Sequence, residues 1–137
     1  MRAHDLLVAV DVLAARPDVD ASSIRGYARG VKGVWLLLAA AVDPRLGKIW
    51  LDRTPWSIAA ALEGPLTSHL FDAMIPRFAL HWDFQDLVDA IGDRRVLWTD
   101  PTNWMNRVVP VEAPLGAPYR YRYVGEGDAP SIEEFLR

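Results

Sequence analysis

Residues 22–42 read SSIRGYARGVKGVWLLLAAAV, and this stretch decides the fold. Its first part, Ser22–Tyr27, contains Ile24 and predicts a short β-strand. After a group of glycines, residues 31–42 are almost entirely apolar, which predicts a buried helix packed on one side of a sheet. Asp43-Pro44 then ends the helix. A strand, a tight turn and a buried helix together are typical of an α/β domain.

Strands and helices continue to alternate along the rest of the chain. A helix is predicted before the deciding stretch, because apolar residues recur at helical spacing after Asp5 until Pro17. The alternation predicts one domain over residues 1–137, with a mostly parallel sheet of about four strands and helices on both faces. Further strands are predicted at 48–52, 95–99 and 119–124, and further helices at 57–62, 70–78, 86–91 and 131–136.

The composition excludes several classes of protein. The chain has 137 residues, of which 51% are hydrophobic and 24% charged, as in a globular domain with its own core. It has no cysteine, so disulfides, thiolate catalysis and cysteine zinc sites are excluded. Its net charge of -3 argues against nucleic-acid binding. No apolar run approaches the about 20 residues of a membrane span, and no signal-peptide pattern is present. We therefore expect a cytoplasmic protein without membrane or nucleic-acid partners, cofactor or metal.

Gly26, Gly30 and Gly33 allow two interpretations of the turn before the buried helix. Backbone N–H groups at a helix start can hold a phosphate. The glycine spacing, however, matches neither the dinucleotide-binding nor the P-loop pattern. The second interpretation is a nucleophile elbow, in which a sharp strand-to-helix turn presents a serine above the sheet. The order of strand, turn and helix favours the elbow.

The same region and three others resemble α/β hydrolases of the prolyl-oligopeptidase and acetylxylan-esterase type. Residues 18–33 resemble the elbow of that family, and residues 39–45 (AAAVDPR) resemble the helix that follows it. Residues 48–52 (KIWLD) and 94–101 (RRVLWTDP) resemble the next strand and the strand that carries the triad acid. The resemblance implies a truncated α/β-hydrolase-type fold, comprising its C-terminal half, and an activity on carboxylic esters.

The catalytic positions of that family are degenerate in this sequence. One alignment places Gly30 at the nucleophile and a shifted one places Ala28 there, and neither residue has a hydroxyl. The acid corresponds to Asp100 or Asn103, and no histidine follows His81 to serve as the base. The standard Ser-His-Asp mechanism needs a base within reach of the nucleophile. The sequence therefore predicts either a rearranged hydrolase site or a catalytically inactive remnant that binds a ligand or partner.

A rearranged site would draw on the remaining polar residues. His81 or His69 would act as the base, with Asp100 as acid or orienting group. Ser57 is a further candidate nucleophile, although a serine at this position more often caps a helix. Trp56 and Trp104, with Asn103, follow predicted strand ends, where open α/β sheets bind ligands. They are candidates to line a pocket for a small ester or sugar-like ligand.

The resemblance also makes a prediction about assembly. In the family several strands precede the elbow strand, and here the matching region begins with the helix just before it. The strand near Ile24–Tyr27 is then an edge of the sheet, with unpaired backbone groups. We expect a homo-oligomer formed through this edge.

Overall fold

A computed structural model describes residues 2–62, 64, 67–92, 94–109, 121–124 and 131–137. These residues form four strands and five α-helices, with 3₁₀ turns at Ala21–Ser23, Ala59–Leu62 and Phe78–Leu80. The strands are β1 (Ile24–Arg29), β2 (Leu46–Asp52), β3 (Arg95–Thr99) and β4 (Tyr121–Val124), and the helices are α1 (Arg2–Ala14), α2 (Lys32–Val42), α3 (Leu70–Ala73), α4 (Phe84–Ile91) and α5 (Ile132–Leu136).

The four strands form one parallel sheet in the order β1-β2-β3-β4. Side chains alternate along β2, so Ile49 and Leu51 face one side, where α2 packs, with α1 and α4 against it. Trp50 faces the other side and contacts Phe135 of α5, with ring centroids 5.4 Å apart. The predicted α/β class, with a parallel sheet and helices on both faces, is confirmed.

Small residues allow α2 to lie close to the sheet. Val34 and Leu37 of α2 are fully buried, which agrees with the predicted buried helix. A Cβ atom added to Gly26 of β1 would lie only 2.6 Å from Cδ1 of Leu36 in α2. The lack of a side chain at Gly26 therefore allows α2 to pack close to β1.

Three predicted helices differ in the structure. The helix predicted over 70–78 ends at Ala73, because Pro76 lacks an N–H donor and disfavours helical backbone in the residue before it. The helix predicted over 57–62 is only a 3₁₀ turn. Helix α4 begins at Phe84, two residues early, because Asp83 and Asp86 form a capping box.

Two other features bear on the predictions about partners. β1 forms an edge of the sheet among the described residues, and its pairing with a second copy of the chain stays a prediction. Of the helices in the described ranges, none has the length and apolar character needed to cross a membrane. Tyr119 and Arg120, at the start of the last predicted strand, lie outside the described residues.

Candidate functional site

The turn between β1 and α2 is completed in two residues. Gly30 continues the sheet through an N–H bond of 2.8 Å to the carbonyl oxygen of Asp52, and it then turns with a φ of 65°. Its own carbonyl accepts the N–H of Gly33 at 2.9 Å, which begins the helix. Positive φ favours glycine, since a side chain there strains the backbone. The chain therefore passes from strand to helix in a sharp turn, with Gly30 at its apex.

Asp52, the last residue of β2, joins the ends of three strands. Its carboxylate accepts the hydroxyl of Tyr27 at 3.0 Å and that of Thr99 at 3.2 Å. Arg29 lies 3.4 Å from the same carboxylate, and Trp50 donates its indole N–H to the Thr99 hydroxyl at 2.9 Å. Burial and the bond to Asp52 raise the pKa of Tyr27, which keeps its hydroxyl as a donor. The network holds the carboxyl ends of β1, β2 and β3 together.

The segments that follow β2 and β3 remain paired beyond the strands. Thr102 donates its N–H to the carbonyl of Thr54 at 3.1 Å and its hydroxyl to the carbonyl of Arg53 at 3.2 Å. Asn103 then folds the next loop, because its Oδ1 accepts the N–H groups of Met105 and Arg107. These two loops are thereby fixed side by side above the sheet.

A cavity of about 330 Å³ lies at this edge, where ligands bind in open parallel sheets. Arg29, Lys32 and Arg53 bring positive charge to its lining, and no described lining residue carries a carboxylate. An added Cβ at Gly30 would find no heavy atom within 4 Å, so the wall is open there. The other described lining residues are Val31, Pro55, Ser68, His69, Thr102, Asn103, Trp104 and Asn106.

His69 brings a titratable group to the cavity. Its Nδ1 lies 3.2 Å from Oδ2 of Asp72, and both side chains are exposed. The preceding residue, Ser68, is tethered to the cavity wall by its N–H, which donates to the carbonyl of Trp104 at 2.6 Å. A carboxylate at Nδ1 favours the tautomer that leaves Nε2 free to accept a proton.

Four of the predicted site residues meet around this cavity: Gly30, His69, Asn103 and Trp104. Trp104 is 2% exposed, so it forms a wall and offers no open ring face. Gly30 lies at the turn, whereas Ala28 lies inside β1. Of the two alignments of the elbow, only the one with Gly30 at the nucleophile position coincides with the positive φ.

The other predicted site residues lie outside the lining. Ser57 is buried and donates its hydroxyl to Asp83 at 2.6 Å, which is a structural bond. His81 is exposed at the end of a 3₁₀ turn. Asp100 follows β3 with a φ of 44°, and the carboxylate that contacts His69 is that of Asp72. Trp56 is half-buried and packs against the core. No three His, Asp or Glu side chains in the described ranges are grouped to hold a metal ion.

Sequence reasoning missed the three cations. Arg29 ends β1, Arg53 directly follows β2, and Lys32 begins α2. The carboxyl ends of neighbouring parallel strands lie at one edge of a sheet, so a basic residue at each of two strand ends is the signal that could have revealed this charge. In the sequence analysis, the same rule about strand ends was applied only to Trp56, Asn103 and Trp104.

Comparison with known proteins adds no family assignment: no protein-family model matches the chain, and no curated protein matches it significantly.

Proposed function

We propose that this protein binds a small anionic ligand, of the carboxylate or phosphate type, in the cavity at the carboxyl ends of β1, β2 and β3. The observation that carries the proposal is the presence of Arg29, Lys32 and Arg53 around one cavity whose described lining has no carboxylate. A concave site lined by charges of one sign concentrates ligands of the opposite sign. The proposal keeps the ligand-binding alternative that the degenerate catalytic positions raised.

Two of the three cations are available to a ligand. Among the described residues, the Lys32 ammonium forms no hydrogen bond or ion pair, and the Arg53 guanidinium makes only a long bond of 3.4 Å to the carbonyl of Asn106. Arg29 is partly neutralised by Asp52. A guanidinium can bind a carboxylate or phosphate through two parallel hydrogen bonds, so Arg53 is the main expected contact.

Replacement of Arg53 by glutamine is expected to weaken the binding of inorganic phosphate about tenfold, because a charge-assisted contact is lost. Lys32→Gln, at a more exposed position, is expected to weaken it about threefold. Isothermal titration calorimetry at low ionic strength measures both changes. Arg16→Gln is the matched control. It removes the same charge from a residue that pairs with Asp18 after α1 and lies outside the cavity lining. Equal losses in all three variants would reduce the effect to net charge and contradict the site.

A second candidate function is ester hydrolysis in the same cavity, favoured by the contact between His69 and Asp72. In this candidate the imidazole of His69 takes a proton from water, and the hydroxide attacks the ester carbonyl. The acyl–oxygen bond breaks as the protonated imidazole returns its proton to the departing alcohol oxygen. The carboxylic acid product then loses its own proton to solvent and becomes a carboxylate. The neighbouring cations stabilise the negative charge that develops on the carbonyl oxygen.

For this second function we expect His69→Ala to lower hydrolysis of a short-chain aryl ester about 100-fold, the contribution typical of a general base. Asp72→Asn should cause a smaller loss, because it disturbs only the orientation of the ring. His81→Ala is the control, since His81 lies outside the cavity lining. A rate that is the same in the parent protein, His69→Ala and His81→Ala would refute hydrolysis by this route and leave ligand binding as the function.

A further inference from the structure

We propose that a second, apolar cavity binds a free medium-chain alkyl carboxylate. The cavity has a volume of about 400 Å³ and lies between residues 58–62 and 70–80. It shares no described lining residue with the cation-lined cavity. Pockets of this size hold small organic ligands, and most are apolar with a few polar groups that orient the ligand.

The described lining residues are apolar except for one, Arg77. Ile58 is 8% exposed and lies deep, while Leu62, Met74 and Leu80 are 90%, 49% and 68% exposed. Large apolar side chains grouped around a concavity leave water in contact with hydrocarbon, and an occupant would remove that contact. The cavity is therefore suited to a hydrocarbon tail.

Arg77 determines the head group. It precedes the 3₁₀ turn Phe78–Leu80 with a φ of 66°, and its side chain is exposed. Within the described ranges its guanidinium forms no hydrogen bond or ion pair. A single cation beside an apolar cavity complements a molecule with one apolar end and one anionic end. A carboxylate is the simplest such head group, because guanidinium geometry matches its two oxygens.

The length dependence of binding tests the tail. Hexanoate, octanoate and decanoate, each below its micelle-forming concentration, would be titrated into the full chain by calorimetry. We expect each methylene to tighten binding about fourfold, equivalent to about 0.8 kcal/mol, until the cavity is full. Binding without length dependence, or seen only with micelles or vesicles, would overturn the proposal.

Variants test the position of the ligand. Leu80→Ser and Leu62→Ser should each weaken octanoate binding several-fold, and both side chains are exposed enough for the fold to tolerate the change. Leu13→Ser, on α1, is the matched control. Arg77→Gln should weaken octanoate about fivefold but leave octanol binding unchanged, because only the charge contact is lost. Equal effects on octanoate and octanol would contradict the role of Arg77.

Two further results separate this proposal from others. Arg53→Gln should retain octanoate binding although it weakens phosphate binding, so the two proposed sites can fail independently. Methyl NMR spectra should show octanoate shifting the signals of Leu62, Leu80 and Met74. If octanoate leaves these signals unchanged while Leu80→Ser dissociates a dimer on size-exclusion chromatography with light scattering, the apolar surface is an interface between copies and the proposal is wrong.

Discussion

Replacing Gly33 by alanine is expected to lower the free energy of unfolding by about 2–3 kcal/mol, the cost of overpacking a well-filled core. Gly33 is buried in the first turn of α2, and an added Cβ would overlap the hydroxyl oxygen of Thr54. It would also lie 2.7 Å from Cγ2 of that side chain. The change gains about 1 kcal/mol of helix propensity, which is less than the clash costs.

Thr54 cannot move aside without loss. It is fully buried and β-branched, so its side chain has few alternative rotamers. Its carbonyl accepts the indole N–H of Trp98 at 3.2 Å and the N–H of Thr102 at 3.1 Å. A shift of Thr54 would therefore disturb both loops above the sheet. We expect Gly33→Ala to weaken phosphate binding in the cation-lined cavity as well.

Gly47→Ala is the matched control for Gly33→Ala. An added Cβ at Gly47 would meet only the carbonyl of Ser22, at 3.8 Å, which is ordinary contact. The unfolding free energy of this variant, measured by urea denaturation, should change by less than about 1 kcal/mol. Alanine lowers the conformational entropy of the unfolded chain, which favours a small gain in stability. The double variant Gly33→Ala/Thr54→Ala should lose less unfolding free energy than the sum of the losses in the two single variants, because the clashing atoms of Thr54 are gone. Strict additivity would contradict the clash.

Local patterns carried the prediction of the sheet. Helix α2 is almost entirely apolar, and the strands around Ile49 and Val96 are short apolar runs. These strands alternate with helices along the chain. The position of Gly30 was also predictable, because a glycine between a strand and a helix is favoured where φ is positive. Such features depend on neighbours in sequence, and a single sequence displays them.

The segment from residue 57 to residue 82 could not be predicted in the same way. The helix predicted over 70–78 was wrong, since the elements from 57 to 82 are short and are held by contacts with distant residues. Trp104 bonds the carbonyl of Ser57, and Ser68 bonds the carbonyl of Trp104. The cation-lined cavity depends on the same long-range contacts, because Arg29, Arg53 and His69 meet only after the chain has folded.

Replacing Asp83 by alanine is expected to cost about 3–4 kcal/mol, because several donors lose their acceptor together. Its carboxylate accepts the hydroxyl of Ser57 at 2.6 Å, the N–H of Ile58 at 2.7 Å and the N–H of Ala59 at 3.3 Å. It also caps α4 by accepting the N–H of Phe84 at 2.6 Å. A single side chain thus ties the 3₁₀ turn after β2 to the start of α4.

Two variants on α4 separate this role from a change of charge. Asp89→Ala removes an exposed carboxylate of the same helix and should change the unfolding free energy by less than about 0.5 kcal/mol. Asp86→Ala removes only the bond to the N–H of Asp83 and should cost about 1 kcal/mol. Urea denaturation measures the unfolding free energy of all three variants.

The loss at Asp83 should also reach the cation-lined cavity. The carbonyl of Ser57 accepts the indole N–H of Trp104 at 2.7 Å, and Trp104 forms a wall of that cavity. Phosphate binding should therefore weaken in Asp83→Ala and persist in Asp89→Ala. Equal stability of these two variants would show that the carboxylate of Asp83 does not hold the two segments together.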